Sequence, residues 1–163
     1  MTHIHRHRPA ADNATSAVRA RLVHGFVSSA SGAHAKVLAE AAGLLIVPDV
    51  IGTHHITQAQ FDTAAAAIAA LPADDVARVA QMGVVLHLVP AATLGEGLLG
   101  ATKIVQASNG QWEPQVIHAT AQANLTGTES LTEIVQHEFG HAISVIKNQD
   151  RSEAAAIAYA ANH

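Results

Sequence analysis

The chain contains no cysteine, which excludes both a disulfide framework and a cysteine-based zinc site. Aromatic residues make up only 3% of the 163 residues, although 49% are hydrophobic, so the core has to be built from Val, Leu, Ile and Ala. The net charge is -4 and Lys and Arg form no cluster, which removes the electrostatic basis for binding nucleic acid. No apolar segment approaches the roughly 18 residues that a membrane helix needs. We therefore expect neither nucleic acid nor a membrane among the partners of this protein.

The composition divides the chain into three parts. Residues 1–13 are polar and His-rich, and we expect a flexible tail that is able to take up metal adventitiously. Residues 14–55 are expected to form an N-terminal helical segment with a short apolar strand at 44–48, which is either part of the main domain or a cover over it. Residues 56–163 are expected to form the main domain. No apolar segment follows the charged N-terminus, so we expect no signal peptide and, by default, a cytoplasmic location, with secretion not excluded.

Helix and strand signals alternate along residues 56–163 and predict an α+β fold. Thr57 and Gln60 match a capping box that opens a helix through Leu71. An Asn109-Gly110 turn predicts a β-hairpin, in which a proline marks the second arm as an edge strand at that end. Between these two signals we expect a helix from Pro72 to about Met82 and a strand over 84–89, in which His87 is a structural polar residue. After the hairpin we expect a long helix from Ser130 and a closing helix from Glu153. Together these elements predict a small domain with a mixed sheet.

The sequence His137-Glu138-Phe139-Gly140-His141 carries the most specific chemistry. Two histidines four residues apart lie one turn apart on the same helix face, so both imidazoles can reach one ion. Glu138 projects about 100° further round the helix, where it can take a proton from a metal-activated water instead of binding the metal. A capping box at Ser130 and Glu133 and an apolar stripe support the helix. The motif predicts a zinc site of the zincin type, with His137 and His141 as ligands and Glu138 as base.

Catalytic zinc takes a third protein ligand, for which the chain downstream of the motif offers Asp150, Glu153 and His163. We expect Glu153, followed by Asp150 and then His163, because Glu153 opens a helix that can return antiparallel to the motif helix. The motif helix can continue for about two turns after His141, to Lys147 or Asn148. It has to end there for Glu153 to reach the histidines, because only 11 residues separate His141 from Glu153. The alternative is that Asp150-Arg151-Ser152-Glu153 is a capping box in which Glu153 only caps its own helix.

Three stretches resemble the family of the anthrax lethal factor catalytic domain and the Pro-Pro endopeptidases. They are the run HEFGHA after a strand and a polar link, the upstream pattern ALPADDVARVAQMGVVLHLV from Ala70, and the run EAAAIAYA from Glu153. The resemblance covers about residues 56–163. It implies a zincin-like domain of the gluzincin class, in which zinc is held by His137, His141 and Glu153, and Glu138 is the base.

The resemblance implies a zinc-dependent endopeptidase that acts on a peptide or protein substrate. Two features differ from the family. The segment between His141 and Glu153 is much shorter, and Ile146 stands where the family has a tyrosine that stabilises the tetrahedral intermediate. Tyr159 is the available substitute in this chain. The alternative function is a zinc-binding but catalytically inactive module that acts in protein interaction.

Overall fold

Helices and strands alternate in the computed structural model, which describes residues 44–48, 56–89, 94, 98–121 and 130–163. The predicted tail (1–13) and most of the predicted N-terminal segment lie outside these residues. The described part has the expected α+β composition. Its elements are β1 (Ile46–Pro48), α1 (Gln58–Ala69), α2 (Ala73–Gln81), β2 (Val85–Val89), β3 (Gly100–Gln106), β4 (Trp112–Thr120), α3 (Leu131–Asn148) and α4 (Glu153–Ala161).

The four strands form one mixed sheet in the order β1-β2-β4-β3. β2 is parallel to both β1 and β4, whereas β3 and β4 are antiparallel. The hairpin between them turns where Asn109-Gly110 predicts it, with Gly110 at a φ of 83°. Glycine adopts this left-handed conformation without steric cost, and the Asn109 side chain accepts a hydrogen bond from the Gln111 N–H.

The first strand lies in the sheet of the main domain, which is one of the two positions left open for the segment that contains it. Ile46 lies opposite Leu86 in a parallel pair, and the Leu86 N–H donates to the carbonyl of Leu45. Leu44 and Ile46 are both buried in the core. Residues 44–48 therefore belong to the same sheet as the later strands, because an apolar segment of this length reaches the core by adding to a sheet edge.

Within the described residues, β3 is the outer strand beside α3. β4 pairs with β2 only from Val116 to Thr120, so its first residues have β3 as their single partner there. Pro114 lies in that singly paired part, opposite Ile104 and next to a register shift. This agrees with the predicted edge position, since proline has no N–H to donate to a second strand.

The long helix α3 lies at the centre of the fold. It packs against β3 and β4 on one side and against α1, α2 and α4 on its others. Both bonds of the predicted capping box are present, because the Glu133 N–H donates to Ser130 Oγ and the Ser130 N–H donates to Glu133 Oε2. Phe139 and Val135 are fully buried in the core cluster. The predicted apolar stripe is therefore the face that holds the helix on the sheet.

The two shorter helices before β2 follow their sequence signals. Thr57 and Gln60 form the predicted capping box of α1, and α2 begins directly after Pro72. The chain leaves α2 through Gly83 at a φ of 69°, the left-handed conformation that ends a helix. None of the helices in the described ranges combines the length and the apolar character needed to cross a membrane.

The buried carboxylate of Asp75 joins α2 to the two C-terminal helices. The Asp75 carboxylate is 5% exposed and lies 2.6 Å from Lys147 Nζ of α3. It also accepts a hydrogen bond of 3.1 Å from the Tyr159 hydroxyl of α4. Because a buried carboxylate is costly without partners, these two contacts hold three helices in a fixed relation.

Candidate metal centre

Three side chains from α3 and α4 converge at one point. The Nε2 atom of His137 lies 2.8 Å from Oε1 of Glu153, and the Nε2 atom of His141 lies 3.4 Å from Oε2 of the same carboxylate. One ligand atom from each residue falls within 4.8 Å of the others. No further group of three or more such side chains was found among the described residues. The structure therefore brings together the three residues expected as ligands.

The spacing of these atoms fits one small divalent ion. Two ligand atoms that each lie 2.0–2.1 Å from a tetrahedral zinc ion are about 3.3 Å apart. The observed nitrogen-to-oxygen distances of 2.8 and 3.4 Å lie on either side of this value. Two imidazoles and one carboxylate are also a donor set of catalytic zinc, which keeps a fourth position open for water. The residues present therefore fit a catalytic zinc ion.

The close packing of α4 on α3 brings Glu153 to the histidines. At Gly140 a Cβ atom would lie 2.9 Å from the Ala156 carbonyl oxygen and 3.1 Å from its Cα atom. Only glycine allows this approach, and Ala156 is fully buried in the contact. Because Glu153 lies one turn before Ala156 on the same helix, the contact at Gly140 sets how near the carboxylate comes to His137.

The connection between α3 and α4 is short and tied to the sheet. Gln149 follows α3 with a φ of 55° and turns the chain back at once. Its side chain accepts a hydrogen bond from the Trp112 N–H and donates one to the Trp112 carbonyl. Arg151 lies 3.7 Å above the Trp112 ring, in cation–π contact. α3 ends at Asn148, as predicted, and the single left-handed residue that follows it reverses the chain.

The alternatives for the third ligand occupy other positions. Ser152 is the N-cap of α4, so Glu153 does not cap the helix and its carboxylate reaches the histidines instead. Asp150 accepts a hydrogen bond from the Ser152 N–H, and this bond holds the pKa of the Asp150 carboxyl below its usual range. His163 packs against the Tyr159 ring. Neither Asp150 nor His163 belongs to the converging group.

Glu138 is held against the outer strand β3. Its side chain is buried, with 1% exposure. The Thr102 hydroxyl lies 2.7 Å from its Oε2 and 2.8 Å from its main-chain carbonyl oxygen, and it can donate its one proton to either acceptor. A Cβ atom at Gly100 would lie 2.7 Å from Glu138 Oε1, so glycine makes room for the carboxylate. The base predicted from the motif therefore has its orientation fixed by residues that are far away in sequence.

An open cleft of about 200 Å³ adjoins His137. α3 supplies one wall, α4 another and the start of β3 a third. Both His137 and Glu138 line it, so the cleft opens directly on the candidate centre. The remaining lining residues are Leu99, Gly100, Glu133, Ile134, Ile157 and Ala160.

The Tyr159 hydroxyl points away from this cleft. It donates to Asp75, while the ring packs against Phe139. Burial, followed by the negative charge of Asp75, raises the pKa of the phenol, so it stays protonated at neutral pH. Tyr159 is therefore a structural residue here and does not replace the tyrosine that the family resemblance would require.

Two of the histidines outside the motif lie side by side on the sheet. His87 lies on β2 directly opposite His118 of β4, with ring centroids 5.3 Å apart. Its neighbours Leu86 and Leu88 point into the core beneath α3, so His87 faces the other side of the sheet, away from the candidate centre. The tail histidines (His3, His5 and His7) lie outside the described residues.

No family model, no curated protein and no solved structure matches this chain. A function for this chain therefore has to be inferred from the geometry of the candidate centre.

The sequence pattern does not predict the roles of three residues of the site. Thr102 and Gly100 belong to a strand that the sequence predicts only in part, and nothing local connects them to Glu138. Gly140 is visible within the motif, but its contact with α4 depends on the tertiary arrangement. The glycine inside an otherwise helical pattern was the one available signal, since such a glycine costs helix stability unless packing requires it.

Replacing Gly140 with alanine tests the helix contact. Alanine is favoured over glycine within a helix by about 1 kcal/mol, but the added methyl group has to displace the Ala156 backbone, and overpacking costs about 1–3 kcal/mol. We expect Gly140→Ala to lower both the melting temperature and the zinc affinity, measured by calorimetry and by competition with a chromogenic chelator. Ala158→Gly, at an exposed position of α4, measures the difference in helix propensity between alanine and glycine alone. A rise in melting temperature for Gly140→Ala would contradict the close approach.

Replacing Tyr159 with phenylalanine tests whether its hydroxyl stabilises the fold or takes part in the reaction. The variant loses a hydrogen bond to a buried carboxylate, so we expect the free energy of unfolding to fall by about 1.5–3 kcal/mol. Zinc affinity and peptide cleavage should stay within about twofold, because the hydroxyl faces Asp75. Lys147→Met removes the cation that pairs with Asp75, so it should destabilise the fold at least as much and also leave zinc affinity and cleavage unchanged. A tenfold or larger loss of kcat in Tyr159→Phe alone would assign the hydroxyl to the reaction.

Proposed function

We propose that this protein is a zinc-dependent endopeptidase of the zincin type. The observation that carries the proposal is the convergence of His137, His141 and Glu153 beside an open cleft, with the buried carboxylate of Glu138 adjacent. A site of this composition, with a base next to it, suits hydrolysis through an activated water. The resemblance to the lethal factor and Pro-Pro endopeptidase family points to the same activity.

The mechanism assigns one role to each residue. His137, His141 and Glu153 would hold the zinc ion. Bound zinc supplies a water of lowered pKa and polarises the substrate carbonyl. Glu138 takes a proton from the attacking water and returns it to the leaving amine as the peptide bond breaks. The Thr102 hydroxyl fixes one carboxylate oxygen of Glu138, so the base does not have to reorient during the reaction.

The outer strand β3 suggests how a peptide would lie. It lines the cleft at Gly100, and within the described residues it pairs with β4 alone. An extended peptide can add to such an edge by main-chain hydrogen bonds, which bind substrates without regard to their side chains. We infer that the substrate is an extended segment of a peptide or protein.

A zinc-binding but inactive module in protein interaction is the second candidate. It is favoured by the position of the Tyr159 hydroxyl, which is held by Asp75 and leaves the described part of the site without a tyrosine. Such a module would bind zinc in the same way and cleave nothing. The two candidates therefore differ in activity and agree in metal content.

Zinc content and cleavage of a diverse peptide mixture test both candidates. With His3, His5 and His7 changed to alanine throughout, to remove adventitious zinc, the chain should bind one zinc ion and release new peptide ends detected by mass spectrometry. Glu138→Gln keeps the shape of the side chain and should retain zinc while losing cleavage. His137→Ala with His141→Ala should lose both.

Zinc should also stabilise the folded chain. At free zinc about a hundredfold above Kd the gain is about 2.7 kcal/mol, which calorimetry detects as a rise in melting temperature. Zinc binding without cleavage would select the inactive module. If zinc leaves the melting temperatures of the parent and of the double histidine variant equally unchanged, the metal site itself is excluded.

Changing Thr102 to valine tests the positioning of the base. Valine has nearly the same shape but donates no hydrogen bond to Glu138. A hydrogen bond to a charged group contributes about 1.5–3 kcal/mol, so we expect kcat to fall by roughly tenfold to a hundredfold while KM and zinc stoichiometry stay unchanged. Thr102→Ser keeps the hydroxyl and should restore most of kcat. Equal kcat for the valine and serine variants would remove Thr102 from the mechanism.

A further inference from the structure

The turn between α3 and α4 contains a residue in an unfavourable backbone conformation. Gln149 has a φ of 55°, and it is the one residue other than glycine with a positive φ in the described part of the chain. A side chain in this left-handed region lies too close to its own backbone, which is why helices that end in this way usually carry glycine there. Glycine would make the same turn without this strain. The turn alone therefore does not explain why the residue is a glutamine.

The side-chain amide of Gln149 makes hydrogen bonds that glycine could not make. Its Oε1 accepts a bond of 2.6 Å from the Trp112 N–H, and its Nε2 donates one of 3.1 Å to the Trp112 carbonyl. Nε2 also donates to the carbonyl of Val145 in the last turn of α3, at 3.0 Å. Trp112 begins β4, where β3 is its single strand partner within the described residues. The amide therefore bonds this end of β4 as a further strand would, and it ties the turn to the hairpin.

Little chain separates this tie from the third candidate ligand. Only residues 150–152 lie between Gln149 and Glu153, which begins α4. Within them, the Arg151 guanidinium lies 3.7 Å from the centre of the Trp112 ring and adds a second contact to the same residue. A turn that is this short and held at two points fixes the start of α4 relative to β4.

The hairpin of β3 and β4 also supports the proposed base. The Thr102 hydroxyl of β3 lies 2.7 Å from the Glu138 carboxylate on α3. The other end of the same hairpin is tied, through Trp112, to the turn that leads to Glu153 on α4. Two carboxylates from different helices thus share one support. Such a support keeps them within the roughly 0.5 Å that a productive site tolerates.

We propose that Gln149 is a positioning residue, which fixes Glu153 for zinc binding by tying the start of α4 to Trp112. Backbone strain at a single residue persists where the surrounding structure requires that residue, and here the requirement is the amide. The inference rests on the zinc site of the proposed function, but it does not depend on peptide cleavage. It extends the support of the metal to Trp112 and Arg151, which lie outside the cleft.

Two substitutions at position 149 separate zinc binding from stability. Gln149→Gly and Gln149→Ala both remove the amide, but only glycine relieves the backbone strain, so Gln149→Gly should melt roughly 2–4 °C above Gln149→Ala. Zinc affinity is measured by chelator competition, with the tail histidines replaced as above. It should fall by about tenfold in both variants, at the lower end of the range for groups that orient a metal ligand. A role confined to the turn predicts instead that Gln149→Gly binds zinc like the parent.

A double-mutant cycle tests whether Gln149 acts through Glu153. In the Glu153→Ala background the remaining zinc affinity comes from the two histidines, so adding Gln149→Gly should not lower it further. Chains loaded with Co²⁺ give a second readout, because the visible absorption of this ion is strong in four-coordinate sites and weak in six-coordinate ones. The absorption should weaken in Gln149→Gly as water replaces the carboxylate.

A matched control comes from the same hairpin. The Gln106 side chain donates to the Gly110 carbonyl, so Gln106→Ala removes a bond from the hairpin without touching the turn before α4. Its zinc affinity should equal that of the parent. Arg151→Met removes the cation above the Trp112 ring and leaves the backbone at 149 unchanged. It should lower zinc affinity, but less than Gln149→Gly, and it serves as the test if the variants at 149 prove unstable.

Two results would overturn the proposal. One is a zinc affinity in Gln149→Gly equal to that of the parent. The other is an equal loss of affinity on Gln149→Gly whether residue 153 is glutamate or alanine. Failure of the proposed function looks different. A parent chain that binds zinc and cuts no peptide keeps the role of Gln149 within the inactive module, whereas a parent chain that binds no zinc excludes the metal site and this role together.

Discussion

The candidate centre depends on the contact between Gly140 and Ala156. The two histidines are fixed by their own helix, but the third group arrives from another helix whose position is not set by the motif. Removing one methyl group at Gly140 lets α4 approach until backbone meets backbone. The Asp75 contacts and the Trp112 contacts then hold α4 at its middle and at its start. An error of 1 Å in this packing would move Glu153 out of reach of any ion held by the histidines.

The outer strand β3 positions Glu138, the proposed base. A carboxylate that is 1% exposed needs partners, since burial alone favours its neutral form. Thr102 supplies a donor, and the missing side chain at Gly100 supplies space. Both residues alternate with outward-facing positions along β3, so the strand register places them on the face that meets α3. The sheet edge and the motif helix therefore form one unit.

Local signals in the sequence predict most of the elements, because their causes are local. Capping boxes at Thr57 and Ser130, the Asn109-Gly110 turn and the glycine after α2 each satisfy or redirect the backbone within a few residues. The convergence of Glu153 on the histidines was also expected, because Glu153 begins a helix that can return antiparallel to α3. The contacts of Thr102, Gln149 and Gly140 were not predictable in the same way, since each joins elements that only the tertiary fold brings together. The sequence left the place of residues 44–48 open for the same reason, because β1 is held by pairing with a strand about 40 residues later.

The burial of Glu138 bears on the choice between an enzyme and a structural zinc site. A structural site needs ligands and a closed coordination shell, and it gains nothing from an additional carboxylate. Here a carboxylate lies in the core next to a candidate ligand, where a leucine or methionine would pack at lower cost. Two further residues, Thr102 and Gly100, are adapted to hold it. A cleft also remains open beside the histidines, where a closed shell would exclude water. Buried side chains that lower stability and do not bind the metal are typical of catalytic sites. Glu138 therefore favours the proposed enzyme over the inactive module.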